Sequence, residues 1–367
     1  MMTDKRVSVI ITNYNGAVFI RRLLWSLKKQ SFSDFEVIFV DNGSTDDTLM
    51  VLRDILKERS FKDVLVKIVP NRHNLGFCKG NNIGLKYANG EYIVFLNGDT
   101  YVSSEWMERL VKVLDTYPSI GACQSKIVFA TSNIVQTVGN LADRFLSNGI
   151  SPDVHKHVKS KDEGVLVDAY FYPSGTSVIY RRSILEKLDG FDEKTFYGDY
   201  DLGWRTRLLG YKIGTSLSSI CYHYGSVATK KLFPKGPHLQ DYKERIYVMS
   251  KNYSLSTFLR RIPVSLALWV LEACYTSLKF QVPHIIMLVR AFLEYIKNLG
   301  ELVNERKKIQ RIRVSSDEEI EKTMCPYPLL IYGLKEKIDS VSTMVCEGIL
   351  KKISCLCTGY AYKRRGE

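Results

Sequence analysis

The chain has 367 residues, 45% of them hydrophobic and 25% charged, and carries a formal net charge of +13. That composition excludes wholesale disorder and suits one large core plus an appendage, or two domains. The positive balance brings nucleic acid and anionic membranes into question. Ten Lys and Arg against four Glu fall within residues 259–314, beside the most apolar part of the chain, so the excess favours a lipid surface over nucleic acid.

Residues 7–12 are an apolar run that predicts a strand, and 17–29 carry Ile20, Leu23, Leu24 and Leu27 at helical spacing. A second strand over 37–40 and a helix over 46–58, with Leu49, Leu52, Ile55 and Leu56 on one face, repeat the unit. Strands at 64–69 and 92–96 follow, with a short helix at 81–88 between them and a helix at 103–117 after them. Such alternation predicts a parallel sheet with helices on both faces. Residues 130–164 are polar and read as an excursion shaping a pocket. Strands at 165–172, 177–180 and 219–224 and helices at 183–188 and 199–209 come next, and a basic helical region begins near Gln240.

Residues 262–293 hold two uncharged ten-residue stretches, separated by a part containing Glu272 and Lys279 and broken by Pro283. A spanning helix needs about 20 predominantly apolar residues, so two amphipathic helices lying on an anionic membrane, or a shallow re-entrant hairpin, fit better. One true span and a buried, homodimer-forming pair are the alternatives. Trp269 and Tyr275 are candidate interfacial anchors. Arg306, Lys307, Lys308, Arg311 and Arg313 read as an electrostatic clamp beside the bilayer. The eight cysteines are scattered, mostly in apolar runs, and read as small hydrophobes. No signal-peptide pattern is seen, so the expected location is the cytoplasmic face of the cell membrane.

Three aspartates follow strand-like segments. Asp41 opens the turn Asp41-Asn-Gly-Ser-Thr-Asp46, Asp99 closes Asn97-Gly-Asp99, and Asp199 and Asp201 sit at the start of a helix. Ligands of open α/β sheets bind at the carboxyl ends of strands, so these acids should converge on one crevice. Thr12-Asn-Tyr-Asn-Gly16 is either a simple turn or the edge of a nucleobase site, with Thr12 and Asn13 as polar partners and Tyr14 as a wall. Asp41 either accepts from a base N–H or ribose hydroxyl, or begins an Asx turn. Asn74, Gly76, Lys79 and Asn81 belong to a Gly- and Asn-rich helix entry, a setting that attracts phosphate. This entry matches neither the P-loop nor the GxGxxG pattern, which counts against NTPases and dehydrogenases. Asp99, oriented by Asn97, is sufficient to anchor Mg²⁺ or Mn²⁺ on a diphosphate, unless it merely makes a tight turn. Asp199 is the candidate general base, its pKa lowered by the helix dipole and restored by Phe196, Tyr197, Tyr200 and Trp204. Asp201 is expected to pair with Arg205 one turn later. His223 is either structural or a third metal ligand.

Taken together, these strings resemble family 2 of the inverting, GT-A-type glycosyltransferases, particularly its rhamnosyltransferase-like members. The matching stations run from Val7-Ser-Val-Ile-Ile-Thr-Asn-Tyr-Asn15 and Val40-Asp-Asn-Gly-Ser-Thr-Asp-Asp-Thr48 through Asn74-Leu-Gly-Phe77 and Phe95-Leu-Asn-Gly-Asp-Thr100. They continue through Ser174-Gly175, Gly190-Phe-Asp192, Asp199-Tyr-Asp-Leu-Gly-Trp-Arg205 and His223. The resemblance implies an α/β GT-A fold, a Rossmann-like mixed sheet flanked by helices, over 1–235. A helical extension (236–260), basic membrane-associated helices (261–315) and a tail (316–367) would follow. It implies a UDP-, dTDP- or GDP-sugar donor, with Asp41 at the nucleoside and Asp99 at the metal and diphosphate. Asp199 would deprotonate a hydroxyl of a glycan or lipid-linked acceptor. Gly175, Thr176, Asp201, Trp204 and Arg205 are the expected acceptor and pocket residues. The sequence departs from many relatives in having Asn97 at the metal station and Gly198 before the base. A sugar nucleotidyltransferase lacks support because no Gly-rich basic loop follows the first strand. A non-catalytic, membrane-bound scaffold that binds nucleotide sugars is the remaining alternative.

Overall fold

A computed structural model describes residues 5–146, 158–159, 161–196, 198–225, 239–280 and 283–329. Strand β1 (Val7–Asn13) lies inside the sheet, and Val7, Val9, Ile10 and Ile11 are all fully buried. It pairs in parallel with β2 (Phe35–Asp41) and β4 (Tyr92–Asn97), while β3 (Val66–Pro70) extends the parallel half beyond β2. Helices α1 (Ala17–Lys28), α2 (Thr48–Lys57) and α3 (Phe77–Leu85) connect these strands.

Beyond β4 the sheet becomes mixed, as the family resemblance implies, although strand–helix alternation alone predicts a parallel one. Strand β9 (Ser177–Arg181) inserts antiparallel between β4 and β6 (Ile120–Phe129), and β10 (Lys212–His223) runs parallel to β6. The edge strand β5 (Thr100–Val102) is antiparallel to β10, and the order across the sheet is β3-β2-β1-β4-β9-β6-β10-β5. Short strands β7 (Val135–Thr137) and β8 (Val165–Val167) pair with β6 and β10 outside that order. The long excursion feeds β9, and its described residues form no helical crossover of the kind that returns a strand in parallel. The expected strand at 165–172 is only three residues long.

Side-chain alternation along β1 and β2 separates two cores, as a period of two requires. Val9, Ile11, Val37 and Phe39 face α1, α2 and α4 (Trp106–Thr116). Ile10, Ile38 and Val40 share the other layer with side chains of α5 (Arg182–Leu188) and α6 (Asp199–Leu208).

A third core joins α6 to a helical C-terminal region made of α7 (Leu239–Asn252), α8 (Leu255–Phe280), α9 (His284–Lys297) and α10 (Leu299–Ile312). Trp204 stands at this junction, edge-on to Tyr253 with ring centroids 4.7 Å apart. Helix α8 runs through Pro263, and Pro283 sits at the N-cap of α9. Among the described residues no helix is long and apolar enough to cross a membrane. Trp269 is no interfacial anchor: it is buried, and its indole N–H donates to the Leu146 carbonyl at 3.0 Å. The basic clamp also needs correcting. The Arg306 guanidinium donates to the carbonyls of Ser250 and Tyr253, and Arg313 pairs with Asp317. Both cations therefore fasten the helices to one another. The described part of the tail, 316–329, docks through α11 (Asp317–Glu321), which opens with a Ser316–Glu319 capping box.

Candidate active site

The strand register aligns the loop residues. Asn13 at the end of β1 stands opposite Asp41, and Thr12 opposite Asn97. Asn13 is buried, and its side-chain amide lies between the loops that follow β1 and β4. A Cβ added at Gly16 would come within 2.1 Å of the Asn13 Oδ1, and one added at Gly98 within 2.3 Å. Both positions must be glycine for the two loops to close on that amide. Gly98→Ala is therefore expected to cost about 1–3 kcal/mol of stability, the usual penalty for overpacking, read as a lower urea midpoint with unchanged slope.

Thr12 and Asn81 bond to each other: the Thr12 hydroxyl donates to the Asn81 Oδ1 at 2.9 Å. A Cβ on Gly80 would approach the Thr12 methyl to 2.7 Å. Helix α3 thus lies tight against β1 at this end. Asn42, which sequence reasoning passed over, organises the entry to α3. It donates to the Asn74 Oδ1 and the Gly76 carbonyl and accepts from the Asn71 amide and the Leu75 N–H. Gly76 has φ of +82°, which suits glycine at this N-cap. Tyr14 is exposed at the rim. Lys79 is an exposed partner of Glu193 at 3.7 Å.

Asp41 is almost wholly buried, and its Oδ1 finds no hydrogen-bond partner among the described residues. A buried carboxylate oxygen without a donor is costly, and this one lies at the tip of β2. Asp99 and His223 are brought together, with Nε2 of His223 3.3 Å from the Asp99 Oδ1. The other ring nitrogen contacts the Gln136 Oε1 at 2.9 Å, so the excursion after β6 orients the imidazole through β7. Among the described residues no group of three or more His, Cys, Asp or Glu forms a metal cluster.

Asp199 opens α6 and is half-buried. Its Oδ2 accepts from the Gly175 N–H at 3.2 Å and its Oδ1 from the Tyr200 N–H at 2.9 Å. Next in the chain, the Thr176 carbonyl accepts from the Asn97 N–H at 3.0 Å. One short backbone path therefore links Asp199 to the β4 terminus that bears Asn97 and leads to Asp99. Burial pushes the Asp199 carboxyl up to about 7, although the Gly175 and Tyr200 N–H groups pull it down. The apolar neighbour is not the one expected. A Cβ on Gly175 would meet the Phe77 ring at 2.6 Å and the Asp199 Cβ at 3.6 Å, so Phe77 walls this side. Trp204 is fully buried in the third core, and Tyr197 lies outside the described residues.

The Asp201–Arg205 pair forms at 2.6 Å; Asp201 is shut inside the fold, while Arg205 borders a cavity that Asp192 and Lys251 also line. Both side chains are buried, and Asp201 also meets Lys251 at 2.9 Å and Asn252 at 3.0 Å. Arg205 spends its remaining donors on the carbonyls of Leu188 and Gly190. Gln124 is a further residue that sequence reasoning missed. Its Oε1 accepts from the Ser174 N–H at 2.5 Å and so holds the turn that leads to Gly175. The available signal was a Gln-Ser-Lys run inside a strand that is otherwise almost entirely apolar.

The profile of glycosyl transferase family 2 matches residues 8–189. The chain belongs to that family. It is 29% identical over 202 residues to a GalNAc(5)-diNAcBac-PP-undecaprenol beta-1,3-glucosyltransferase of Campylobacter jejuni, covering 54% of this chain and 58% of the relative. Its fold is similar to that of S. aureus TarS 1-349 in complex with UDP-GlcNAc, with a TM-score of 0.52, 18% identity and coverage of 98% and 93%. It is also similar to the mannosyltransferase PcManGT from Pyrobaculum calidifontis in complex with GDP-Man and Mn²⁺, with a TM-score of 0.50, 17% identity and coverage of 85% and 86%. The mixed sheet with flanking helices is thus the GT-A-like fold. The chain matches 29% to 64% of the length of the first curated relatives.

Proposed function

We propose that this family 2 member is an inverting glycosyltransferase. It would move a sugar from a nucleoside diphosphate to a hydroxyl on a glycan or lipid-linked acceptor. The observation that carries the reading is a carboxylate with a pKa near 7, one backbone path away from the strand end bearing Asn97 and Asp99. A general base works best when its pKa lies near the operating pH. Asp199 takes the proton of the acceptor hydroxyl as its oxygen bonds to the anomeric carbon. The bond from that carbon to the diphosphate breaks on the opposite face, so the configuration inverts. One base and one displacement suffice.

The chemistry of the site fits a divalent cation. A buried His223 Nε2 with no hydrogen bond faces Asp99, and a hard cation on a diphosphate needs only one or two protein ligands beside the phosphates. Asp99 and His223 would hold Mg²⁺ or Mn²⁺, which would neutralise charge on the departing diphosphate. PcManGT, solved with GDP-Man and Mn²⁺, supports that assignment by fold. The lipid-linked class of acceptor is supported by the Campylobacter relative, whose name specifies an undecaprenol-linked glycan.

The orphaned Oδ1 of Asp41 is the proposed acceptor for a nucleobase N–H or ribose hydroxyl. Asp41→Ala should weaken nucleoside-diphosphate binding by about tenfold, the loss of one hydrogen bond to a charged group. Titration calorimetry with UDP, GDP and dTDP checks this. The same protein, assayed for hydrolysis of UDP-, GDP- and dTDP-sugars including dTDP-rhamnose, tests the donor class. Failure to bind any nucleoside diphosphate with Mn²⁺ present would remove the transferase reading.

A further inference from the structure

Helices α8 and α9 are apolar on both faces. The inward side of α8 gives Trp269 and Ala273 to the third core and also buries Ser265, Glu272 and Thr276, yet its solvent-facing side carries Leu259, Val264, Val270, Leu271 and Leu278, the last 85% exposed. Glu272 is held on the inward side by Arg245 of α7. Helix α9 repeats the pattern, exposing Ile285, Ile286, Val289, Leu293 and Ile296 while it buries His284, Leu288 and Ala291. Soluble helices place their apolar stripe inward, and a contiguous exposed patch of this size marks an interaction surface. At the borders stand the exposed cations Arg260, Lys279, Arg290 and Lys297. Glu272, nearest in sequence to Arg260 and Lys279, pairs with Arg245, and Glu294, nearest to Arg290 and Lys297, pairs with Lys243 at 2.6 Å while also facing those two cations.

We propose that this face docks on a bilayer containing anionic phospholipids. The apolar stripe would sit at the acyl boundary and the four bordering cations among the phosphates. Charge decides against a second copy of the chain: self-association would bring two basic borders together, whereas anionic headgroups neutralise them. The inference does not depend on the transferase reading. It has a consequence for it, because α7 joins this face to the base-bearing helix through Lys251, Asn252 and Tyr253. Docking would then hold the crevice at a fixed attitude to the membrane.

The test is flotation of the full chain with phosphatidylcholine vesicles, with and without phosphatidylglycerol, over a salt series. Binding should require phosphatidylglycerol and fall as salt rises. A Lys279→Glu and Arg290→Glu double variant should lose partitioning by roughly fivefold or more per cation changed. Leu278→Asp with Ile286→Asp should abolish it. Thermal melting and nucleoside-diphosphate binding should stay unchanged in both variants, which rules out misfolding as the cause. The proposal is overturned if the chain stays unbound with both lipid compositions. It is equally overturned if the Asp variants float as well as the parent, or if sedimentation shows a dimer that those substitutions split while vesicles are ignored.

Discussion

Asp199→Asn is expected to bind nucleoside diphosphate as the parent does and to lose transfer by about 10²–10⁴-fold, the usual contribution of a positioned general base. Gly175 and Tyr200 donate to separate oxygens of Asp199, and Asn keeps an oxygen for one of the two, so the side chain stays tethered on one side while the proton acceptor is gone. Single-turnover transfer measured beside calorimetric donor binding separates the two. Equal losses of binding and transfer would mean that Asp199 holds the donor, and wild-type transfer would end its assignment as base.

The same carboxyl sets two pH dependences. Because Asp199 ionises near 7, kcat/KM should rise with pH up to about 7 and then level off, an arm that Asp199→Asn should lack. Stability runs the other way. An ordinary aspartate ionises near 4 in the unfolded chain, so between about pH 4 and 7 the native state holds a proton that the unfolded state has released. Stability contributed by this group is therefore complete below about 4, falls as pH rises, and is lost above about 7. Asp199→Asn should then be more stable than the parent at pH 8, by about 2 kcal/mol. That is less than three pKa units would imply, because Asp199 is only half-buried. An inactive variant that melts higher at pH 8 but not at pH 4 is the signature of a desolvated base.

How much of this was legible before folding depends on range. The strand tips bearing Asp41 and Asp99 could be read because an apolar run ending in an acid is a local pattern, and the register then aligns those tips. The reversal at β9 is not local in this way, since a strand's neighbours are chosen across the sheet; alternation alone says parallel, and only the family resemblance implies a mixed sheet. Lys79 reads as a phosphate ligand from its place beside Gly80, and the fold adds a surface partner, Glu193, more than a hundred residues on. Asp199 is a candidate base from its place in the chain, but the Phe77 ring beside Gly175 is a neighbour that no spacing within 196–204 encodes. The exposed apolar faces of α8 and α9 were partly visible, since their apolar stripes and bordering cations are local. Which side of α8 turns outward is set by distant partners such as Arg245 on Glu272 and Leu146 on Trp269.

Asp201 shows what such long-range partners do to a reading, and Asp201→Ala should have the largest effect on stability in the chain. The carboxylate is 0% exposed and touches Arg205 and Lys251, which are 2% and 1% exposed. Removing it leaves two cations desolvated, and breaking a buried pair in this way costs about 3–5 kcal/mol. The lower end is expected, because Lys251 retains Asp192 and Arg205 retains two carbonyls. Asp201→Asn should cost less, since Asn still accepts from Arg205, while Asp201→Leu should match or exceed the Ala variant because it also strands both cations. Urea unfolding gives the magnitudes. An acceptor contact predicts the opposite split: parental stability and a raised KM for the acceptor. About fifty residues separate Asp201 from Lys251 and Asn252, so a motif that looks local to one helix serves to clamp α6 to α7. The placement of the Asp199 carboxylate at the start of α6 then rests on a buried charge network contributed largely from outside that helix.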